Sequence, residues 1–312
     1  MIISTRDYLP NQILPRYGNV KKELGVKPIN NSYILTAYRC RKEINIPKKI
    51  SLNNKDLIAI GLYLAEGKKE RPHENKKSNH NGEISFDSSD VNSLNLVCKL
   101  LEKFGIKREE IRTTLDLNVN YRKELSEYQL SKYWMAKLKL NPHNKRKLWL
   151  RYKGVEGGRL SKNSSHRGCI KLSFASVIFR NIFIPFTENF FKNMLNKKDK
   201  QAISLMLQGY FAGDGHVSFS KKLPYGRKHV EFLCNDPNLK SLLREGLSIL
   251  GLTNIKETNP LTTKTHTHAL RIYNRQDFLV LNKYRILNFV EYKREIFVNL
   301  LDRYQTRYNK RF

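Results

Sequence analysis

The chain has 312 residues, long enough for one large domain or two ordinary ones, and its 58 Lys and Arg against 28 Asp and Glu leave a formal net charge of +30. That balance excludes an acidic, self-solvating chain and points to a polyanionic partner. A content of 40% hydrophobic and 11% aromatic residues excludes a disordered polycation, so the chain must fold and then present a basic surface. Cys40, Cys98, Cys169 and Cys234 are far apart with no CxxC pair, which excludes a zinc ribbon and argues against a disulfide framework. The start carries no apolar leader and no run of 18 apolar residues occurs anywhere. The expectation is an intracellular protein, in cytoplasm or an organelle or nucleoid, with no membrane partner.

In chain order, residues 1–50 match no pattern found elsewhere and form an N-terminal extension without an assigned role. Residues 57–67 read as an apolar helix with a central glycine, ending Ala65-Glu66-Gly67. A polar loop follows, then a strand at Glu83–Asp87 that alternates with period two. An amphipathic helix spans Val91 to Phe104 before Gly105, and a further strand falls near Ile111–Leu117. A basic insertion of about 121–167 carries a predicted helix at Glu124–Leu140 and the run Lys145-Arg146-Lys147. A strand at Gly168–Phe174 and a closing helix near 176–195 complete the first half, and Asn196–Lys200 reads as a linker. The second half repeats the plan. Its helix, 205–215, again has a central glycine and ends Gly213-Asp214-Gly215. Strands at 216–220 and 229–232, a helix from Asn238 to Leu250 before Gly251, strands at 255–258 and 269–273, and a helix near 276–289 follow. The predicted division is 1–50, 51–195 and 196–312.

In a helix, Gly61 and Ala65 share one face, as do Gly209 and Gly213. Small residues one turn apart let backbones approach more closely than the usual 8–10 Å, so these four predict a helix–helix interface. The alternative is two ordinary core helices that tolerate glycine at about 1 kcal/mol each. Close packing would bring Glu66 and Asp214 together at helix C-termini. There the dipole disfavours each carboxylate, and two like charges about 4 Å apart repel by roughly 4 kcal/mol at an effective dielectric of 20. A shared proton, basic neighbours or a hard divalent cation must offset that. Beside a basic surface, a magnesium site for phosphodiester chemistry is the sharpest reading. The plainer one has both acids capping turns against lysines such as Lys68.

These residues resemble the two-motif LAGLIDADG homing endonucleases over about 51–300. Ala59 through Gly67 match the nine-residue motif with Glu66 at its essential acid, and Leu207 through Gly215 match it with Asp214 there; Leu64 and Ala212 replace the motif's earlier acid. The resemblance implies an α+β fold of two pseudo-symmetric αββαββα halves, with saddle-shaped antiparallel sheets over the DNA major groove and a central two-helix interface. It further implies a monomeric enzyme that uses Mg2+, or another divalent ion such as Mn2+, held at Glu66 and Asp214 with Gly67 and Gly215 beside them. Such an enzyme cuts both strands of double-stranded DNA and leaves short 3′ overhangs. With no protein-splicing residues visible, an intron-encoded or free-standing enzyme is expected. The alternative is a non-catalytic binder, such as an RNA maturase acting on a group I intron, with intron RNA as its partner.

Period-two geometry turns Lys171 and Ser173, and Arg271 and Tyr273, away from the apolar side of their strands. Lys171 and Arg271 are read as equivalent. The family's basic residue near the active centre makes them candidate catalytic groups, with a generic phosphate contact as the rival role. Lys68, Ser85, Asp87, His216, Ser218, Lys221, Arg227, His229 and Glu231 are the further candidates for contact with DNA, with surface solvation as the rival for each. His266 and His268 lie two apart but without a third ligand. Gly157-Gly158-Arg159-Leu160-Ser161-Lys162 lacks the spacing of a phosphate-binding P-loop.

Overall fold

Both motif helices are apolar nearly all round, so burial rather than an amphipathic stripe holds them. A computed structural model describes residues 1–14, 20–38, 40, 42–67, 82–118, 126–139, 148–153, 168–219, 228–258 and 268–308. The chain divides into two units. The first is Met1–Asp56 with Glu66–Phe186, and the second is Leu57–Ala65 with Thr187–Phe312. The first motif helix thus clusters with the second unit along most of its length.

The N-terminal extension, unassigned from its sequence, folds as β1 (Ile2–Ser4), β2 (Gln12–Ile13), β3 (Lys22–Ile29), β4 (Ser32–Ala37), β5 (Ile44–Pro47) and β6 (Lys49–Ser51). β2, β3, β4 and β5 form an antiparallel four-stranded sheet in that order, and β1 pairs with β6. Leu24, Leu35, Ile44 and Ile46 are buried. The helix α1 (Asn54–Glu66) follows, then β7 (Glu83–Ser88), α2 (Val91–Lys103), β8 (Arg112–Asn118), α3 (Glu127–Lys137), β9 (Leu148–Lys153), β10 (Cys169–Ala175) and α4 (Val177–Asn196). Asp90 caps α2 by accepting from Ser93 N at 2.8 Å, and Gly105 takes a φ of 86° just past its end. The sheet order is β7-β10-β8-β9. β9 comes from the insertion and runs parallel to β8, where an antiparallel sheet was expected. Phe104 packs edge-on against Phe179, Phe183 and Phe186 beneath this sheet.

The second unit runs α5 (Lys200–Asp214), β11 (Gly215–Ser218), β12 (His229–Leu233), α6 (Pro237–Leu250), β13 (Ile255–Glu257), β14 (Ala269–Ile272), α7 (Arg275–Lys283) and α8 (Glu291–Tyr308). Its sheet order is β11-β12-β14-β13, antiparallel throughout. Asp236 caps α6 from Asn238 N and Leu239 N, and Gly251 ends it with a φ of 104°. Helix α8 lies beyond the repeat read from the sequence. Among the described residues, no helix is long and apolar enough to cross a membrane. The described architecture is α+β, mixing helices with small, mostly antiparallel sheets.

In the first unit, Gly67 bridges Phe86, and in the second Gly215 pairs with Phe232. The two motifs therefore leave their helices into the same sheet position. A single bridge stands in the first unit, among the described residues, where β11 stands in the second.

Within the second unit, α1 and α5 meet backbone to backbone. A Cβ on Gly61 would overlap the Met206 carbonyl oxygen, and one on Gly209 would overlap the Ile58 carbonyl oxygen and lie 2.9 Å from Leu62 N. Backbone cannot give way as a flexible side chain can. Gly209→Ala is therefore expected to destabilise the protein by about 3 kcal/mol, at the upper end for overpacking. Gly251→Ala meets nothing within 4 Å and should cost only about 1–2 kcal/mol, through its left-handed backbone. Chemical denaturation of both variants checks the order; a smaller loss for Gly209→Ala would mean the two helices can part.

Candidate nucleic-acid interface and motif carboxylates

The period of a strand sets which side chains share a face, and the pairing register sets which of them are neighbours. In the second sheet His216 pairs with Glu231, Glu231 with Arg271, and Arg271 with Lys256. This makes one polar row across four strands, opposite the face that buries Val217, Val230, Phe232, Leu270 and Ile272. The next row holds Ser218 and His229, and the His229 ring lies 5.4 Å from that of Tyr273.

Glu231 is the electrostatic centre of this face. Its Oε2 accepts from Arg271 Nε at 2.8 Å and pairs with His229 Nε2 at 3.4 Å, and the residue is only 8% exposed. Burial works against its charge, but the hydrogen bonds from His229 and Arg271 prevail and hold its pKa down at about 2. His229 is itself buried, and its Nδ1 has no hydrogen-bond partner among the described residues. Burial also pushes the His216 imidazole below its ordinary value, with His229 and Lys293 adding to that and Glu231 opposing it.

The equivalent face of the first sheet is built differently. Lys171 pairs with Asp87 and Thr114, and Ser173 with Ser85 and Arg112. Lys171 Nζ also reaches Glu83 Oε1 at 3.2 Å. Anchoring both registers on the Gly67–Phe86 and Gly215–Phe232 pairs sets Leu172 level with Leu270, because these are the β10 and β14 partners of Phe86 and Phe232. Ser173, not Lys171, is then the counterpart of Arg271, and Ser85 that of Glu231. The expected equivalence of Lys171 and Arg271 is corrected by two residues. A slip of two keeps every side chain on its face, so alternation alone could not detect it.

Glu66 is the last residue of α1 and falls in the first unit; Asp214 is the last residue of α5 in the second. The Gly215 N–H closes the α5 end on the Phe211 carbonyl, and a Cβ at Gly215 would overlap the Phe211 ring. Ala65 and Gly213 are half-buried. Lys68, Lys221, Arg227 and His266, the run Lys145–Lys147 and the 157–162 segment lie outside the described residues. Among the described residues no group of three or more His, Cys, Asp or Glu could hold a metal ion. Magnesium needs only one or two carboxylates besides water and phosphate oxygens, and a carboxylate such as that of Asp214 is a hard oxygen donor of that kind.

Three cations were not singled out from the sequence. Arg112 and Lys256 sit in the polar rows, and the alternation of their own strands would have exposed them. Lys293 is different. It lies on α8, only 6% exposed, and its Nζ donates to the carbonyls of Phe211 at 3.0 Å, Ala212 at 2.8 Å and Gly213 at 3.3 Å.

No protein-family model matches the chain and no curated protein matches it. Solved structures do. The N-terminal LAGLIDADG domain of DUF199/WhiA is similar at 16% identity over 75% of this chain and 82% of that one, with a TM-score of 0.38. The LAGLIDADG meganuclease I-CpaMI, bound to uncleaved DNA, is similar at 11% identity over 82% and 93%, with a TM-score of 0.38. Mesophilic variants of the homing endonuclease I-DmoI are similar at 11% identity over 74% and 90%, with a TM-score of 0.32.

The Glu231 arrangement has a pH signature. Its carboxylate has a folded pKa of about 2 against an ordinary 4.5. The stability it contributes is therefore complete above pH 4.5 and is lost as pH falls toward 2. Glu231→Gln should lower stability at neutral pH, and the gap to the parent should narrow across that window. Urea unfolding at pH 7, 4 and 3 measures it; a gap independent of pH would refute the ionised cluster.

Proposed function

We propose that the chain is a site-specific double-strand DNA endonuclease of the two-motif LAGLIDADG homing type, intron-encoded or free-standing and acting as a monomer. One observation carries this reading. Two glycine-centred helices pack backbone on backbone, and each ends in a carboxylate followed by a glycine that enters the edge of a sheet at the same register. The repeat, the net charge of +30 and the polar outer rows support it.

In this reading Glu66 and Asp214 hold the divalent cation and orient the attacking water. Magnesium, when bound, supplies charge for the scissile phosphate and a water of lowered pKa. Lys171 and Arg271 stand on the DNA-facing rows, held by Glu83 and Glu231 respectively. Arg271 carries five N–H donors, of which Glu231 and Tyr273 engage part, and the rest would meet phosphate or a guanine edge. Asp87, His216 and Ser218 would complete the contact surface, whereas Ser85, Ser173 and His229, candidates for the same contact from the sequence, are buried by their neighbours and would support it from within.

The test is cleavage of DNA spanning the uninterrupted form of the gene that surrounds this coding sequence, with and without Mg2+. The parent should cut both strands, and Glu66→Gln and Asp214→Asn should each slow cutting by about 1,000-fold while binding in EDTA persists. Asp214→Asn cutting as fast as the parent would defeat the assignment of that acid. Tight, metal-indifferent binding with no cleavage would identify a non-catalytic binder instead. Affinity should fall with salt, the log–log slope steepening by about 0.9 for each phosphate neutralised.

A further inference from the structure

We propose that Lys293 is the positioning residue of Asp214: its ammonium clamps the last turn of α5 and so fixes where the second motif carboxylate stands. The argument begins with α8. Its buried residues Lys293, Phe297 and Leu300 are spaced four and three apart, the inward stripe of a helix packed on a core. The first place in that stripe is taken by a lysine where a leucine or methionine would pack without desolvating a charge. Burying an ammonium costs several kcal/mol unless its hydrogen bonds are met, so the charge must be repaid by what it binds.

An ammonium has three donors, and here three successive carbonyls receive them, those of Phe211, Ala212 and Gly213. These belong to the final turn of α5, where the helix ends and its last carbonyls are left for other donors; the Phe211 carbonyl is shared with the Gly215 N–H. The cation also faces the negative end of the helix dipole and lies 5.4 Å from the Phe211 ring centroid. The next residue is Asp214. Any loosening of the 211–213 carbonyls moves that carboxylate directly, and a displacement of about 1 Å at a reacting centre can cost about 100-fold in rate. The reach extends to the sheet row as well, since Lys293 acts electrostatically on His216.

Lys293→Met keeps an unbranched apolar stem and removes the donors; Lys293→Arg restores a cation. Hydrogen exchange of the 211–216 amides tests the clamp without reference to any activity. Lys293→Met should speed exchange there by about 10-fold or more while β12 and α6 are unchanged, and Lys293→Arg should recover most of the protection. The consequence for chemistry rests on the nuclease reading. Single-turnover nicking in Mg2+ should slow by about 100-fold on one strand and less than about threefold on the other, with binding in EDTA within about twofold of the parent. Unchanged exchange at 211–216 in a folded variant, or equal slowing of both strands, would overturn the proposal. If the parent itself does not cut, the nuclease reading fails and the exchange result alone decides the clamp. If Lys293→Met does not fold, Lys293→Gln, which keeps an amide donor, is measured the same way.

Discussion

Two helices approach so closely at Gly61 and Gly209 that any side chain there would strike the partner's backbone. The contact trades side-chain packing for direct apposition of backbones, and it carries the conformational cost of a mid-helix glycine, about 1 kcal/mol each relative to alanine. What that cost secures is definition. Backbone contacts have no rotamers, so the mutual position of Leu57–Ala65 and α5 is set by two rigid cylinders rather than by adaptable side chains. A residue that ends such a helix inherits its placement, and Asp214 ends α5.

The same rigidity explains why a glycine follows the acid of the second motif. Gly215 lies where a Cβ would collide with Phe211, so the chain can turn from helix to strand only without one. Both motif glycines then meet a phenylalanine of the following strand, Phe86 or Phe232. From that shared anchor the two sheets diverge. The second carries His216, Glu231, Arg271 and Lys256 in one row, whereas the first has Ser85, Ser173 and Arg112 at the corresponding places. A scaffold repeated in backbone and unlike in surface chemistry lets each sheet face vary without disturbing the helix that leads into it.

What was legible in the sequence depended on how strongly one physical signal dominated. Helices α2 and α6 are amphipathic, begin at Asp90 and Asp236 caps and stop at Gly105 and Gly251, both with positive φ, so pattern and punctuation agreed. The repeat of the motif helices showed itself through glycine spacing. The N-terminal sheet did not, because β3 contains Gly25 and Pro28 and leaves most of its residues exposed or half-buried, which blurs alternation. β9 pairs in parallel with β8, a neighbour remote in sequence, and no local pattern reports that. Register was the other blind spot: the strands' faces were readable, but the alignment of Lys171 with Arg271 was two residues out. Lys293 was hidden for the opposite reason, since a lysine in a basic chain attracts no notice until its burial is known.

The acids on these surfaces bear on how a chain of net charge +30 keeps its cations ordered. An unpaired arginine or lysine side chain samples many rotamers, and holding it still costs up to about 2 kcal/mol of conformational entropy. Glu231 binds Arg271 through Nε, and Glu83 binds Lys171 through Nζ. Each carboxylate lowers the local positive potential, which weakens non-specific attraction to a polyanion. In exchange, each fixes a donor fork or ammonium at one place on the sheet before any ligand arrives. Indiscriminate attraction gains nothing from that exchange, whereas a partner recognised at defined atoms does. Glu231 goes furthest in this direction, because a carboxylate whose pKa is held near 2 stays charged at neutral and mildly acidic pH. The buried acid on the basic face is thus better understood as a template for Arg271 and His229 than as a contact made by chance among surface charges.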